Sequence, residues 1–479
     1  EAHDCPEYVG PSHDALWPFQ RAGVQYGIET SRFFLGDDLG LGKTVEALVC
    51  LAAWRDAFPA LIVSKRSAVP HWAKLAAKWL PGRSVVLGVQ PGRDVQIVTW
   101  GELSRMSEEE QVEDVPFTAT LLEQTEYQGF QSVLLDESHH AKNAAANRTK
   151  AALRLSAAAR YRICITGNVI VNRPAELIAQ LRILGRLESD FGNAWTFMHR
   201  YCDAGETEYY KGGERHTALD ASGASRLEEL AEALRSSCYV RREKKGEHGV
   251  LQQLPDLTTE VVSIELTAGD RKEYERAEKD FLGWLRATDP DAADRAERAE
   301  ELVKINALRH RLAQMKLDAI VEWSHDFLED NPGAKLVLFA YHLDIVHALA
   351  ERIAESVTLT GADSSRVREE VRERFQREGS DARVLVAQIT TGGESIELYA
   401  ASTVGIVEPC WTPKDHDQAI ARLWRAGQRN PVVAYFFLAR GATIDERMYQ
   451  LVEEKRRTVG IVTSILKDLV SQFRKELTE

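Results

Sequence analysis

The sequence predicts an α/β protein built as two parallel-sheet lobes with helical insertions. Two separate series of short β-rich runs, each alternating with helical patterns, predict the two sheets. A glycine loop, GLGKT at 40–44, follows directly on the first apolar run and opens a helical pattern. Between the series lies a long charged stretch of a different, helical texture.

The first series runs from Phe33 to about Leu184: FFLG, ALIVS (60–64), VQIVTW (95–100), SVLLD (132–136) and RICIT (162–166). Residues 190–245 read as helical around a polar insert, YYKGGERHTALD, whose Gly-Gly predicts a hairpin turn. KKGEHGVLQQLPD (244–256) reads as a hinge. From Asp270 to about Asn331, opposite charges recur at i, i+4, which predicts a solvated helical protrusion rather than a site. The second series is KLVLFAY, SVTLT, ARVLVA, STVGIVE and VVAYFFL. The expected domains are therefore 1–245, with an insertion over about 190–240, a hinge at 246–260, and 261–479, carrying the protrusion and a C-terminal helix.

The chain has 479 residues, 60 basic and 73 acidic, for a net charge of −13. That balance excludes a protein coated in positive charge and confines any nucleic-acid contact to a local basic cleft. Cys5, Cys50, Cys164, Cys202, Cys238 and Cys410 are scattered without zinc or thioredoxin spacing, so they read as small apolar fillers in a reducing compartment. No apolar run would span a bilayer and no signal peptide is visible, so a soluble intracellular protein without a membrane partner is expected.

GLGKT has the parts of a phosphate cradle. Gly40 and Gly42 allow a tight turn, Lys43 can reach β- and γ-phosphates, and the Thr44 hydroxyl can ligate Mg²⁺. The full pattern G-x-x-x-x-G-K-[ST] is broken, because its first position is Asp37. A tight turn before an ordinary helix is the bland alternative. Carboxylates are supplied by LLDESHHAKN (134–143). Asp136 ends an apolar strand and would emerge beside the loop, where open α/β sheets bind ligands. It is placed to hold Mg²⁺, and Glu137 to orient and deprotonate a water.

With these segments in order, the chain resembles the Swi/Snf-type DNA translocases of helicase superfamily two over nearly its whole length. The segments are LWPFQ, DDLGLGKT, ALIVSKRSAVPHW, IVTWGEL, DESHHAKN, ITGNVIVNRPAEL, KLVLFAYH, QITTGGESIEL, CWTPKDHDQAIARLWRAGQ and GATIDERM. RYCDAG, LDASGASRLEELAEALRSSCYVRREKK and QQLPD resemble the branch that holds HARP-type annealing helicases and their bacterial and phage relatives; a phage or bacterial protein of this kind would be cytoplasmic. The resemblance implies two RecA-like lobes, ATP and Mg²⁺ as cofactors, double-stranded or branched DNA as partner, and a monomer. In that family the first loop position is often not glycine, so Asp37 is admitted to the nucleotide site.

Further roles follow from the resemblance. Gln20 would read the adenine edge, and Gly393 would lie at the nucleotide. His139 would link the γ-phosphate to Thr166 and Gly167. Arg422 and Arg425, three apart and so expected on one helical face, would reach the γ-phosphate when lobe closes on lobe. DNA backbone contacts would come from Lys65, Arg66, Ser67, Thr99 and Trp100 in the first lobe. Tyr341, His342, Thr390, Thr391 and Trp411 would supply them in the second. Two segments depart from the family: Thr166-Gly167-Asn168-Val169 stands for TGTP, and GGESIEL for GGxGINL. Two alternatives stand beside a duplex translocase: a strand-separating helicase of the same superfamily, and an ATP-gated clamp without net movement, which these altered segments suggest.

Overall fold

The computed structural model describes residues 8–106, 129–167, 173–211, 214–221, 223–245, 249–287, 295–389 and 397–457. Thr390, Thr391 and Gly393, and the departures at Asn168, Val169 and 392–396, lie outside them. The chain divides into two compact units, Glu1–Gln252 and Gln253–Glu479.

The first unit holds a seven-stranded sheet in the order β3-β4-β2-β5-β6-β1-β9. Its strands are β1 (Arg32–Leu35), β2 (Ala60–Ser64), β3 (Val85–Leu87), β4 (Val95–Thr99), β5 (Ser132–Asp136), β6 (Tyr161–Ile165) and β9 (Tyr239–Val240). Every pairing is parallel, so all carboxyl ends share one edge. Strand residues alternate between two buried faces. Phe34, Leu61, Val63 and Val133 enter one core, and Phe33, Leu35, Ile62 and Leu134 the other. Burial on both sides is why these runs are continuously apolar. The two edge strands β3 and β9 are only three and two residues long and not fully buried, and they are absent from the sequence-based expectation. The polar insert contributes two antiparallel strands, β7 (Gly205–Lys211) and β8 (Glu214–Asp220); the turn expected at Gly212-Gly213 lies outside the described residues.

The second unit holds a six-stranded parallel sheet, β10-β15-β14-β11-β13-β12. These are β10 (Leu257–Ile264), β11 (Leu336–Ala340), β12 (Ser356–Leu359), β13 (Val384–Gln388), β14 (Thr403–Ile406) and β15 (Val432–Ala439). Residues 257–260, read from the sequence as the end of a hinge, are the start of β10, which pairs with β15 over its whole length.

The charged helical stretch departs from expectation. Its helices Ala268–Ala287, Arg295–Met315 and Leu317–Asp330 are present, but they are not solvated all round. Tyr274, Phe281, Ile305, Leu308 and Leu312 are buried against Ile444, Met448, Leu451 and Val452. Positions 305, 308 and 312 form one helical stripe that the surrounding charges mask in the sequence. At the root, Lys316 is fully buried, and its Nζ donates to Val407 O (2.6 Å), Phe437 O (2.8 Å) and Asp445 Oδ2 (2.5 Å).

Candidate nucleotide site and nucleic-acid surfaces

Strand register brings the first unit's functional side chains together. Asp136 lies level with Ile165, Ile165 with Leu35, Ser64 with Thr99, and Val63 with Leu135, which puts the five strand ends that carry motifs in one row. The chain leaves β1 into Asp37 and Asp38, turns at Gly40 (φ 86°) and Gly42 (φ 88°), and enters the helix Lys43–Ala53. Those angles are where a Cβ is disfavoured, and one on Gly42 would also collide with the Gln20 amide. No side chain caps this helix, so its N-terminal dipole faces the loop.

Lys43 Nζ donates to Asp37 O (2.5 Å) and Asp38 O (3.2 Å). Burial pushes its pKa down, while the charges of Asp37, Glu137, Asp38 and Asp136 partly restore it. Asp136 Oδ2 accepts from Ser64 Oγ (2.6 Å) and Trp72 Nε1 (2.9 Å). That grip fixes the carboxylate and leaves Oδ1 as its remaining acceptor. Burial and then the neighbouring Glu137 charge raise the Asp136 pKa, a strain that a cation would relieve. Glu137 has φ 51°, a left-handed conformation costly for a residue with a Cβ. Its Oε2 lies 3.1 Å from His139 Nδ1.

These residues fit a magnesium–polyphosphate better than a protein-only metal cage. Among the described residues no group of three or more His, Cys, Asp or Glu side chains could hold a metal ion. Mg²⁺ characteristically takes one or two protein oxygens plus phosphates, and Thr44 and Asp136 are the residues that would hold it.

Gln20 is buried on the loop. Its Nε2 donates to Leu41 O (3.0 Å) and its Oε1 accepts from Trp17 N (3.0 Å), leaving one N–H and one lone pair. Thr166 is buried and takes its place through Thr166 N to Leu35 O (3.1 Å). A Cβ on Gly167 would stand 3.4 Å from Leu39 Cδ2, so this segment packs on the glycine loop. His140 has a buried Nε2 without a partner and a pKa pushed down to about 3, mainly by burial.

Arg422 and Arg425 do not share a helical face. The helix Pro413–Ile420 ends before them: Arg422 N and Leu423 N turn back to Ala419 O (3.4 Å) and Ile420 O (3.0 Å), and Arg422 O accepts from Leu398 N (3.0 Å) rather than continuing a ladder. Gln428 then staples the turn, with Nε2 donating to Ala401 O (2.9 Å) and Leu423 O (3.2 Å). Arg422 is buried with its Nε unpartnered. Burial, then the adjacent Arg425 charge, lowers its pKa to about 9. A guanidinium still carries its charge at neutral pH, so Arg422 is a buried cation with unmet hydrogen-bonding capacity. Arg425 is paired with Glu397 at 2.7 Å.

The expected DNA contacts sort unevenly. Lys65, Arg66 and Ser67 follow β2, with Arg66 exposed and the other two half-buried. Thr99 is a helix cap, its Oγ1 accepting from Glu102 N (3.1 Å). Trp100 is a correction. Only 6% exposed, it donates its indole N–H to Asp136 O (3.0 Å), and so braces the acidic strand end from within the core. In the second unit, Glu408 is buried and gathers Tyr341 N (2.7 Å), His342 N (3.0 Å) and His342 Nδ1 (2.6 Å). Burial alone would raise its pKa, but the bonds and charge from His342 prevail and lower it. Trp411 and Tyr341 flank the buried Arg309 guanidinium at 5.2 and 4.8 Å. Arg309 and Glu408 escape sequence reading because each sits among charged or apolar neighbours without a motif around it.

A glycine loop beside an acidic strand end in one parallel sheet, with paired arginines in a second, defines a helicase-like P-loop ATPase. The chain belongs to the SNF2-related family: the SNF2-related domain matches residues 19–317 and the helicase conserved C-terminal domain residues 316–427. It is 29% identical over 460 residues to "DNA annealing helicase and endonuclease ZRANB3" of Mus musculus, covering 93% of this chain and 40% of that protein. Against "SWI/SNF-related matrix-associated actin-dependent regulator of chromatin subfamily A-like protein 1" of Xenopus tropicalis it is 29% identical over 461 residues, covering 93% and 44%. The chain thus spans about two fifths of the length of these curated relatives. The "Sulfolobus solfataricus SWI2/SNF2 ATPase core in complex with dsDNA" aligns at 20% identity and a TM-score of 0.41, over 92% of this chain and 91% of that one, a likeness too loose to bear on detail.

Proposed function

We propose that this protein is a DNA-dependent ATPase that moves along duplex DNA and acts on forked or branched substrates. The reading is carried by one observation, the meeting of Lys43, Asp136 and Glu137 at a single sheet edge, with Asp136 locked by Ser64 and Trp72.

Lys43 exchanges its hydrogen bonds on Asp37 O and Asp38 O for phosphate oxygens. Gln20 offers its remaining N–H and lone pair to the adenine edge. Mg²⁺, when bound through Thr44 and Asp136, supplies the charge that lets a polyphosphate lie against this acidic edge. Glu137, held by His139, orients the water and takes its proton. Arg422 and Arg425 offset charge on the γ-phosphate, which makes hydrolysis depend on the second unit. Lys65, Arg66, Ser67, Tyr341, His342, Thr390 and Thr391 bear on the sugar–phosphate backbone, so the track is held without reading bases. The two relatives named above, one called an annealing helicase, favour the fork and branched substrates. No described helix is long and apolar enough to cross a membrane, and the protein acts as an intracellular monomer.

The test is ATP turnover with no DNA, single strands, linear duplex and forked duplex at fixed salt, paired with triplex displacement. Stimulation by duplex and fork with displacement of the third strand is expected. Stimulation by single strand alone would replace this reading with a strand-separating helicase. Duplex stimulation without displacement would leave an ATP-gated clamp.

A further inference from the structure

Arg242 lies in RREKK, which no motif assigns, 8% exposed and directed into the core behind the glycine loop. Its peptide N–H and Nε donate to Asp37 Oδ1 at 2.9 and 3.0 Å. Nη2 donates to Asp37 Oδ2 and to Glu46 Oε2, each at 2.5 Å, and Nη1 donates to Phe19 O. Asp37 and Glu46 are both fully buried.

Each partner belongs to a different part of the nucleotide site. Asp37 opens the glycine loop, and its carbonyl is the one Lys43 rests on. Glu46 is in the first turn of the helix that Lys43 begins. Phe19 precedes Gln20, whose amide holds Leu41 O. The backbone repeats the tie: Gly36 N donates to Val240 O (2.8 Å), Asp38 N to Arg242 O (3.0 Å), and Lys244 N to Asp38 Oδ2 (3.0 Å). Space is tight as well, since a Cβ on Gly23 would collide with both the Glu46 carboxylate and the Arg242 guanidinium. A buried ion pair of this kind roughly breaks even against apolar packing. What it supplies is a fixed geometry that only a forked, multiply donating side chain can impose.

We propose that Arg242 is a positioning residue of the nucleotide site, locking the glycine loop, its helix and the Gln20 segment into the frame that binds ATP. The inference rests on the nucleotide reading above. Burial and the neighbouring Asp37 hold the Glu46 carboxyl well above its usual range despite Arg242, so losing the guanidinium leaves a second acid unpaired behind the loop.

The experiment compares the full chain with its R242K, R242Q and R242Q/E46Q variants, by titration with a fluorescent ADP analogue and by duplex-stimulated turnover. For R242K, nucleotide Kd and the KM for ATP should rise roughly tenfold, the scale seen when a supporting hydrogen-bond partner is removed, with kcat and duplex affinity little changed. R242Q should bind more weakly still, and R242Q/E46Q should recover part of the loss because the orphaned acid is gone. A merely structural arginine would instead lower the folded fraction, reducing kcat and duplex binding together at unchanged KM. R242K with wild-type KM, or a double variant no better than R242Q, overturns the inference. Should R242Q fail to fold, R242K against wild type decides. Absence of nucleotide binding by the wild type would instead remove the functional reading on which this one rests.

Discussion

In the first unit, Asp37, Asp38, Asp136 and Glu137 surround one lysine, Lys43. In the second, Arg309, Lys316, Arg422 and Arg425 lie buried or half-buried, while the acids Glu408 and Asp445 are spent on His342 and Lys316. On the proposed reading, the acidic unit would hold a magnesium-charged polyphosphate and supply a base, with Lys43 as the cation among these acids. In the other, Arg422 keeps unmet hydrogen-bonding capacity at Nε, and the two buried acids, Glu408 and Asp445, are already engaged. On the proposed roles, turnover would draw on both units, whereas nucleotide binding would belong to the first.

The sharpest way to break this division is Glu137→Gln. The amide keeps the shape but is a very poor base, so kcat should fall by about 10²-fold or more while a fluorescent nucleotide still binds. Loss of binding along with turnover would make Glu137 a structural residue. Next in size is Arg425→Ala, which should leave nucleotide affinity close to wild type and reduce duplex-stimulated turnover by at least about tenfold. Retained stimulation would end the role given to the second unit's arginines. A smaller effect is expected from Lys65→Ala or Arg66→Ala. Each should flatten the log–log dependence of duplex affinity on salt by about 0.9 for the phosphate no longer neutralised, measured by titration at several salt concentrations; an unchanged slope removes that residue from the track. Smallest is Trp100→Phe, which forfeits one hydrogen bond to Asp136 O. It should cost about 1 kcal/mol of stability in a denaturant titration with no change in the salt slope, and a changed slope would return Trp100 to the DNA surface.

Legibility in the sequence followed the same divide between local and distant causes. Most strands of each series were readable because burial on both faces demands near-continuous apolar runs, the edge strand β12 instead by its alternating burial, and GLGKT and DES were readable because phosphate chemistry needs those residues close in the chain. Strands β3, β9 and β10 were not, since an edge or half-exposed strand can be short or polar. Arg242 was hidden by distance: its partner Asp37 is 205 positions away, and the only local hint was Glu46, a lone acid inside the apolar run VEALVCLAA. The helical placement of Arg422 and Arg425 failed because the chain tightens to i, i+3 bonds at Ala419 and Ile420, after which Leu398, distant in sequence, takes the Arg422 carbonyl. Trp100 was misread because a tryptophan beside a motif looks alike from the sequence whether its ring faces outward or inward.

The burial of Lys316 bears on how this protein can be cut. The two domain matches meet at residues 316–317, which makes that junction the obvious place to divide the gene. A fragment starting there would carry β15 without β10, and β10 covers eight of its residues. It would also lose Arg309 from between Tyr341 and Trp411. If the cut also removed Lys316, Val407 O, Phe437 O and the Asp445 carboxylate would be stranded, and orphaning one partner of a buried pair costs about 3–5 kcal/mol. Such a piece would emerge as an aggregate with an unpaired strand edge, whereas one begun at Gln253 keeps all of these partners together and is the natural unit for expressing the second half alone.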